Sequence, residues 1–232
     1  MSPIETLRSK LQCDEPVIVV NADHPSPSLV EVLARQPVDA VFIDCEQGSP
    51  DVESVENMAR AARIYQLPSL VRLFSAEDWV VERYLLRGVD GVVVPRLERA
   101  EDARRVVETV SYCYPNAREK KFVVVQIESA TALSSLDEFL AVDGIDVYFI
   151  GPVDLAKSMG FAGDYAAPPV QDAMDDAIHT IRESGRTAGI LVNRENVSDY
   201  CRKGARFLYT HADAFLVAGA QDFAARVKSR TR

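Results

Sequence analysis

Short apolar segments rich in β-branched residues alternate along this chain with longer segments in which apolar residues recur at helical spacing. The apolar segments predict eight strands, which cover residues 16–21, 40–44, 69–73, 91–95, 122–127, 147–150, 188–192 and 206–210. Strands of a parallel sheet that is covered by helices are apolar along most of their length. The pattern therefore indicates parallel strands joined by helices.

The intervening segments predict one helix after each strand. These helices cover residues 26–35, 51–65, 77–86, 100–110, 130–140, 170–183, 196–203 and 214–227. Eight strand–helix units favour closure into a single (β/α)8 TIM barrel over an open sheet, and no GxGxxG motif follows the first strand to suggest dinucleotide binding. No linker or shift in composition divides the chain, so we expect one TIM-barrel domain over residues 1–232.

The charge balance narrows the range of partners. The formal net charge is -9, and basic residues cluster only in the tail at 228–232. Nucleic acids and anionic membranes bind basic surfaces, so neither is an expected partner. A small anionic substrate remains possible, because it needs only a local positive site.

The cysteines and the first ten residues indicate the cellular compartment. Cys13, Cys45, Cys113 and Cys201 form no CxxC pair, and the first ten residues show no signal-peptide pattern. The apolar segments are too short to span a bilayer. These features predict a reduced, cytoplasmic protein.

Two carboxylates follow adjacent predicted strands. In a barrel of this kind the active site lies at the carboxyl ends of the strands, where Glu128 follows the fifth strand and Asp154 the sixth. Together with a bidentate 2-oxo acid and two waters, they would complete an octahedral oxygen shell suited to Mg²⁺ or Mn²⁺. The alternative is that Glu128 accepts a backbone hydrogen bond and that Asp154 caps a helix starting after Pro152.

Arg72 stands near the end of an otherwise apolar strand. A buried guanidinium needs an anionic partner, because an unpaired buried charge is prohibitively costly. That partner is either a substrate carboxylate or enolate oxygen, or a structural ion pair with Asp44 or Glu46.

The remaining reactive side chains at the strand ends are His24, His211 and Cys45. Either histidine has a suitable intrinsic pKa for a general base, although loop histidines are often structural. Cys45 has no evident activating base beside it, so we expect a small buried filler rather than a nucleophile.

Several segments resemble those of a known family. They are IDCEQGSP, VRL, GVDGVVVPRLERAEDA, VVVQIES, LDEFLAVDGIDVYFIGPVDLAKSMGFAGD and AGIL. Over residues 16–225 the chain resembles the HpcH/HpaI family of class II, pyruvate-specific aldolases, and the QIES and FIGPVDLAKSMG segments carry the resemblance most specifically.

The resemblance implies a metal centre and a substrate site. Glu128 matches the glutamate of the family's Q-[IV]-E motif and Asp154 the aspartate of G-P-x-D-L, so both would hold a divalent cation, Mg²⁺ or Mn²⁺ with Co²⁺ also possible. Arg72 would bind the pyruvate oxygens and stabilise the enolate. Gln126 and the backbone from Gly151 through Pro152 and Val153 would also contact the substrate. The resemblance further implies a homo-oligomer, a hexamer or trimer of dimers, whose last helix packs on a neighbouring subunit.

The chain departs from the family pattern at three places. The family's histidine in D-x-E-H is Gln47 here, and its aspartate partner falls on Leu86. The connection at 112–121 is also shorter than the family's usual loop. Gln47 cannot exchange a proton near neutral pH, although it can orient a hydroxyl or a water. A metal-bound water, His24 or His211 would have to act in place of the missing histidine.

These observations lead to one favoured hypothesis and two alternatives. The favoured one is a metal-dependent aldolase acting on a 4-hydroxy-2-oxo acid, with Arg72, Gln47 and His24 as catalytic residues. The first alternative is a decarboxylase of an oxaloacetate-type 2-oxo acid at the same metal site, since that reaction needs no base on a hydroxyl. The second is a barrel that binds a 2-oxo acid without turning it over.

Overall fold

The computed structural model describes residues 2–229, and eight parallel strands within that range form a closed barrel. Each strand pairs with the next along the chain, and the last pairs with the first. The strands are β1 (Val17–Asn21), β2 (Ala40–Asp44), β3 (Ser69–Arg72), β4 (Gly91–Val94), β5 (Phe122–Ile127), β6 (Val147–Ile150), β7 (Ala188–Leu191) and β8 (Phe207–His211). The predicted (β/α)8 TIM barrel is confirmed.

Helices follow every strand and surround the barrel. They are α1 (Pro3–Gln12), α2 (Pro27–Leu33), α3 (Val52–Ile64), α4 (Asp78–Leu85), α5 (Ala100–Cys113), α6 (Ala130–Ser134), α7 (Leu136–Leu140), α8 (Pro152–Ser158), α9 (Pro168–Glu183), α10 (Val197–Lys203) and α11 (Ala212–Ser229), with a 3-10 turn at Arg118–Lys120. The helix predicted at 130–140 is interrupted at Ser135, where α6 ends and α7 begins. Across residues 2–229, no helix has the length and apolar character needed to span a membrane.

Helix α1 was not predicted, and it closes the amino-terminal end of the barrel. Ser2 and Glu5 form a capping box that starts the helix. Ile4, Leu7 and Leu11 are buried against the inward-facing side chains of the strands. With this end of the barrel covered, the carboxyl ends of the strands remain as the open face.

The barrel interior is a packed core. Inward-facing side chains such as Val19, Phe42 and Val124 are almost fully buried. Phe149 contacts Phe207 edge to face, with ring centroids 6.2 Å apart. The interior is therefore filled, as expected for eight strands, and it leaves no room for a ligand inside the barrel.

Candidate active site

A cavity of about 150 Å³ lies at the carboxyl ends of the strands. Its lining comes from β2, β3 and β5 through β8 together with the turns that follow them. The lining residues are Asp44, Gln47, Arg72, Gln126, Glu128, Phe149, Gly151, Pro152, Val153, Asp154, Leu191, Tyr209 and His211. The structure thus brings together every site residue that the sequence predicted, with the exception of His24.

Glu128 is buried at the floor of this cavity. Its Oε1 accepts a hydrogen bond from the backbone N–H of Arg96 at 2.5 Å, which is the backbone contact anticipated as the alternative to metal binding. Burial raises the pKa of Glu128 to about 7. The negative charges of Glu46 and Asp154 raise it further, whereas the hydrogen bond from Arg96 and the positive charge of Arg72 lower it. A buried carboxylate with negative neighbours is a favourable environment for a cation.

Gly151 makes room for the Glu128 side chain. A Cβ atom at Gly151 would lie 2.7 Å from Oε2 of Glu128 and 2.8 Å from its Cβ. The N–H of Gly151 donates to the carbonyl of Ile127 at 3.1 Å. The sheet therefore already uses the donor of Gly151, although Gly151 lines the cavity.

Asp154 lies in the first turn of α8 and lines the same cavity as Glu128. The N-cap of α8 is Gly151 and no side chain caps the helix, so Asp154 does not act as the cap that the alternative anticipated. Its Oδ1 accepts a hydrogen bond from Nζ of Lys157 at 2.8 Å, and the side chain remains partly exposed. The carboxylate is therefore accessible to a ligand in the cavity.

Arg72 makes the structural ion pairs and also lines the cavity. Its Nε and Nη2 donate to the two carboxylate oxygens of Asp44 at 2.8 and 2.6 Å, and its Nη1 lies 3.1 Å from Oε2 of Glu46. Burial alone would raise the pKa of Asp44, but the hydrogen bonds and charge of Arg72 lower it below its ordinary value. Glu46 is buried between Arg72 and Arg96, whose Nε is 2.8 Å from Oε1. The guanidinium is held in place before any substrate binds.

Two amides also face the cavity. Gln126 is buried, and among residues 2–229 its Oε1 has no hydrogen-bond partner. An unsatisfied buried acceptor is costly, which favours a ligand or water at this point. Gln47 is exposed at the mouth of the cavity, whereas Leu86 follows α4 with its side chain largely in solvent.

The two histidines at the strand ends have different environments. His24 is 64% exposed, its Nε2 is 3.6 Å from Oδ1 of Asp213, and it does not line the cavity. The residue before it, Asp23, has a left-handed backbone with φ at 61° directly after β1. His211 does line the cavity, and its Nδ1 lies 2.5 Å from Oδ1 of Asp23. The choice of His24 as the catalytic histidine is not supported by this geometry.

Cys45 fits its expected role as a filler. Burial raises the pKa of its thiol to about 12, so it remains protonated and is a poor nucleophile near neutral pH.

The fold and this site define a class of protein: a TIM barrel with two carboxylates and an arginine around a small cavity. The HpcH/HpaI aldolase/citrate lyase family matches residues 18–220, and the chain belongs to that family. It is 31% identical to a hydroxypyruvate/pyruvate aldolase of Roseovarius nubinhibens, over 94% of each chain. It is 36% identical to a 4-hydroxy-2-oxovalerate aldolase of Rhodococcus jostii, over 81% of this chain and 82% of that protein.

Solved structures agree with this assignment. An HpcH/HpaI aldolase/citrate lyase family protein from Burkholderia cenocepacia matches with a TM-score of 0.88 and 27% identity, over 96% of this chain and 99% of the other. The predicted family is confirmed, and an enzyme of the aldolase and lyase class is confirmed with it.

Proposed function

We propose that this protein is a divalent-metal-dependent aldolase that cleaves a 4-hydroxy-2-oxo acid into pyruvate and an aldehyde. The observation that carries the proposal is the convergence of Glu128, Asp154 and Arg72 on one small cavity. Relatives named as aldolases of hydroxypyruvate and pyruvate and of 4-hydroxy-2-oxovalerate support the choice of substrate class.

The two carboxylates fit a divalent cation. Glu128 is desolvated beside other negative charges, and a Cβ at Gly151 would take the space that its Oε2 needs. Within residues 2–229 no group of three or more His, Cys, Asp or Glu side chains could hold an ion, so substrate and water would supply the remaining ligands. Mg²⁺ and Mn²⁺ suit such an oxygen shell, with Co²⁺ also possible. When bound, the cation supplies Lewis-acid polarisation of the 2-oxo group.

The other cavity residues orient the substrate and stabilise charge. Arg72 presents a guanidinium fixed by Asp44 and Glu46, which stabilises the negative charge of the enolate that cleavage releases. Gln126 offers its side-chain amide to a substrate or water. Gln47 at the mouth orients the C4 hydroxyl or a water, because an amide can form hydrogen bonds but cannot exchange the proton.

A second candidate function is decarboxylation of an oxaloacetate-type acid at the same site. Gln47 and Leu86 occupy the positions of the family's histidine and aspartate, and Leu86 is exposed away from the cavity. Loss of carbon dioxide needs charge stabilisation at the 2-oxo group and no base on a hydroxyl. These two departures favour a reaction that needs no such base, and the presence of both candidate metal ligands, Glu128 and Asp154, speaks against a barrel that merely binds 2-oxo acids.

A coupled assay of pyruvate release tests the proposal. The panel contains 4-hydroxy-2-oxo acids and oxaloacetate, each assayed with added Mg²⁺ or Mn²⁺ and with chelator. We expect metal-dependent release of pyruvate together with an aldehyde. Pyruvate from oxaloacetate alone would identify the decarboxylase, and undiminished activity in chelator would contradict the metal-dependent mechanism.

We also propose that the protein is a homo-oligomer in which α11 packs against another copy. Phe215, Leu216, Val217 and Phe223 of this helix are all exposed, with Phe223 at 72%. A contiguous exposed apolar surface of this kind marks an interaction site. Family membership supports a second copy as the partner, in a hexamer or trimer of dimers.

Replacing Phe223 with glutamate should therefore disrupt the oligomer. A charge in an apolar interface would be desolvated without a partner, so the measured mass should fall towards the 25.6 kDa of one chain. Light scattering after size-exclusion chromatography measures this mass. Tyr112→Glu is the matched control, because Tyr112 of α5 is 78% exposed and lies on a different helix. An unchanged mass for Phe223→Glu, or a parent protein that is already monomeric, would contradict the proposal.

A further inference from the structure

We propose that His211, positioned by Asp23, is the general base that takes the proton of the C4 hydroxyl during aldol cleavage. This assignment rests on the proposed aldolase function and identifies the group that acts where Gln47 cannot. No feature of the local sequence joins the two residues, which lie 188 positions apart.

The barrel topology brings the two residues together. Strand β8 pairs in parallel with β1, with Asn21 opposite His211. His211 is the last residue of β8, and it lines the same cavity as Arg72 and Glu128. Asp23 lies two residues beyond the end of β1, where its N–H donates to Oδ1 of Asn21 at 3.0 Å. Both residues are therefore placed by the rigid part of the fold.

Asp23 is fixed at both carboxylate oxygens. Its Oδ1 is 2.5 Å from Nδ1 of His211, and its Oδ2 accepts from the backbone N–H of Asp213 at 3.0 Å. The side chain is only 12% exposed. The left-handed backbone at Asp23, with φ at 61°, is unusual for a residue other than glycine and is held by these contacts. A residue kept in this conformation to bind one histidine is a positioning residue.

This contact selects the ring nitrogen that can act as a base. A carboxylate that accepts from Nδ1–H keeps the proton on Nδ1 and leaves Nε2 with its lone pair. The ring of Tyr209 packs edge-on against that of His211, with centroids 5.1 Å apart, and limits its rotation. Tyr209 is fixed in turn by the side-chain amide of Asn21, which donates to its hydroxyl at 3.0 Å. The imidazole is oriented before the substrate enters.

The proposed step is balanced in atoms and electrons. Nε2 of His211 takes the proton of the C4 hydroxyl, and the O–H electron pair forms the carbonyl of the departing aldehyde. The C3–C4 bond breaks, and its electron pair forms the C2=C3 bond of an enolate whose charge Arg72 stabilises. The proton then passes from Nε2 to C3, which completes pyruvate and restores neutral His211. The reaction needs no further reactant.

Comparison of two reactions at the same site tests the assignment. Aldol cleavage needs a base on the hydroxyl, whereas decarboxylation of oxaloacetate releases carbon dioxide without one, and water can supply the proton for C3. His211→Gln should lower kcat for cleavage of a 4-hydroxy-2-oxo acid by about 10²- to 10⁴-fold, the usual contribution of a general base. Oxaloacetate decarboxylation by the same variant should change by less than about threefold, since the contribution of a general base is absent from that reaction.

Two further variants sharpen the comparison. Asp23 accepts from two donors, His211 Nδ1 and the N–H of Asp213, and Asn in Asp23→Asn keeps only one acceptor oxygen for them. With its oxygen on Asp213, the amide presents its NH2 to Nδ1 and favours the wrong tautomer. The kcat for cleavage should therefore fall by a larger factor than KM rises, again with decarboxylation retained. His179→Gln is the matched control, because His179 is an exposed histidine of α9 far from the cavity lining. It should leave both reactions unchanged.

The outcomes separate this assignment from the proposed function. Full cleavage by His211→Gln, or equal loss of both reactions, would overturn the assignment while leaving the aldolase intact. Loss of cleavage in His24→Gln with full activity in His211→Gln would also overturn it and would assign the base to His24. A parent protein that releases pyruvate from neither substrate would overturn the proposed function, and the assignment with it.

Discussion

Replacing Glu128 with glutamine should abolish metal-dependent pyruvate release while leaving the barrel at least as stable as the parent. Glutamine has the same shape, and its amide oxygen can still accept the hydrogen bond from the N–H of Arg96. It removes a buried charge that burial and the neighbouring Glu46 and Asp154 disfavour. The variant therefore isolates the loss of a metal ligand from the loss of a structural contact.

The expected loss of activity is large. A Lewis acid supplies several kcal/mol of charge stabilisation in the transition state, so its loss should lower kcat/KM by about 10³-fold or more. Titration of the metal-free proteins with Mn²⁺ should show that Glu128→Gln binds the cation more weakly than the parent does. Asp154→Asn should also bind it more weakly.

Thermal unfolding of metal-free protein provides the control for Glu128→Gln. The Tm of the variant should equal or exceed that of the parent, whereas added Mn²⁺ should raise the Tm of the parent alone. Full activity of Glu128→Gln after rigorous metal removal would contradict the mechanism. A variant that unfolds at much lower temperature would instead identify Glu128 as a structural residue.

The sequence predicted the barrel well because its signals are local. Each strand is a short β-branched segment, and the residues that follow it fall on one open face, so Glu128, Asp154 and Arg72 could be placed together without knowledge of side-chain geometry. Helix α1 was missed although its capping box is visible in the first five residues. Its three buried residues form too short an apolar stripe to be distinctive by themselves.

The details of the site depended on contacts between distant residues. The pairing of Asp23 with His211 arises from the closure of β8 onto β1 and from a left-handed backbone that single-sequence patterns do not reveal. His24, the histidine favoured from the sequence, does not line the cavity, whereas His211 does. The hydrogen bond from the Gly151 amide to the carbonyl of Ile127 likewise depends on sheet register, which the sequence does not reveal.

The sequence left two alternative partners for Arg72: a substrate oxygen, or a structural ion pair with Asp44 or Glu46. The structure shows the ion pairs and also places Arg72 in the cavity lining. It contacts Asp44 through two hydrogen bonds and Glu46 through a third ion-pair contact. These buried acids hold the guanidinium rigidly, and an oriented charge needs no reorganisation when an enolate forms. In the proposed function these ion pairs preorganise the guanidinium for the reaction. Stability should then depend on its charge, and activity on its fixed orientation.

Replacing Arg72 with methionine should cost both stability and activity. The side chains of Arg72, Asp44 and Glu46 are 12%, 8% and 4% exposed, so removing the guanidinium leaves buried Asp44 without a cation and leaves Glu46 with Arg96 alone. Breaking a buried ion pair from one side costs about 3–5 kcal/mol in the free energy of unfolding. Pyruvate release should fall by about 10²- to 10³-fold, the usual effect of losing one charge-stabilising donor.

The stability loss should depend on pH in a defined direction. The pKa of Asp44 is lowered in the folded protein, so its pairing stabilises the fold above the ordinary aspartate pKa and is lost as pH falls through the lowered value. The difference in unfolding free energy between parent and Arg72→Met should therefore be largest near neutral pH and shrink in acid. Denaturant unfolding at a series of pH values measures it.

A pair of further variants separates the two roles of Arg72. Arg72→Lys keeps one positive charge for Asp44 or Glu46, so it should lose less stability than Arg72→Met, but a point charge cannot reproduce the bidentate geometry and activity should still fall. Combining Arg72→Met with Asp44→Asn and Glu46→Gln removes the buried carboxylate charges that Arg72 had neutralised, and it should recover most of the stability with no recovery of activity. If the triple variant recovered both stability and activity, Arg72 would support only the fold. If Arg72→Lys kept the rate of the parent, a positive charge would be sufficient for the reaction without the orientation set by the two acids.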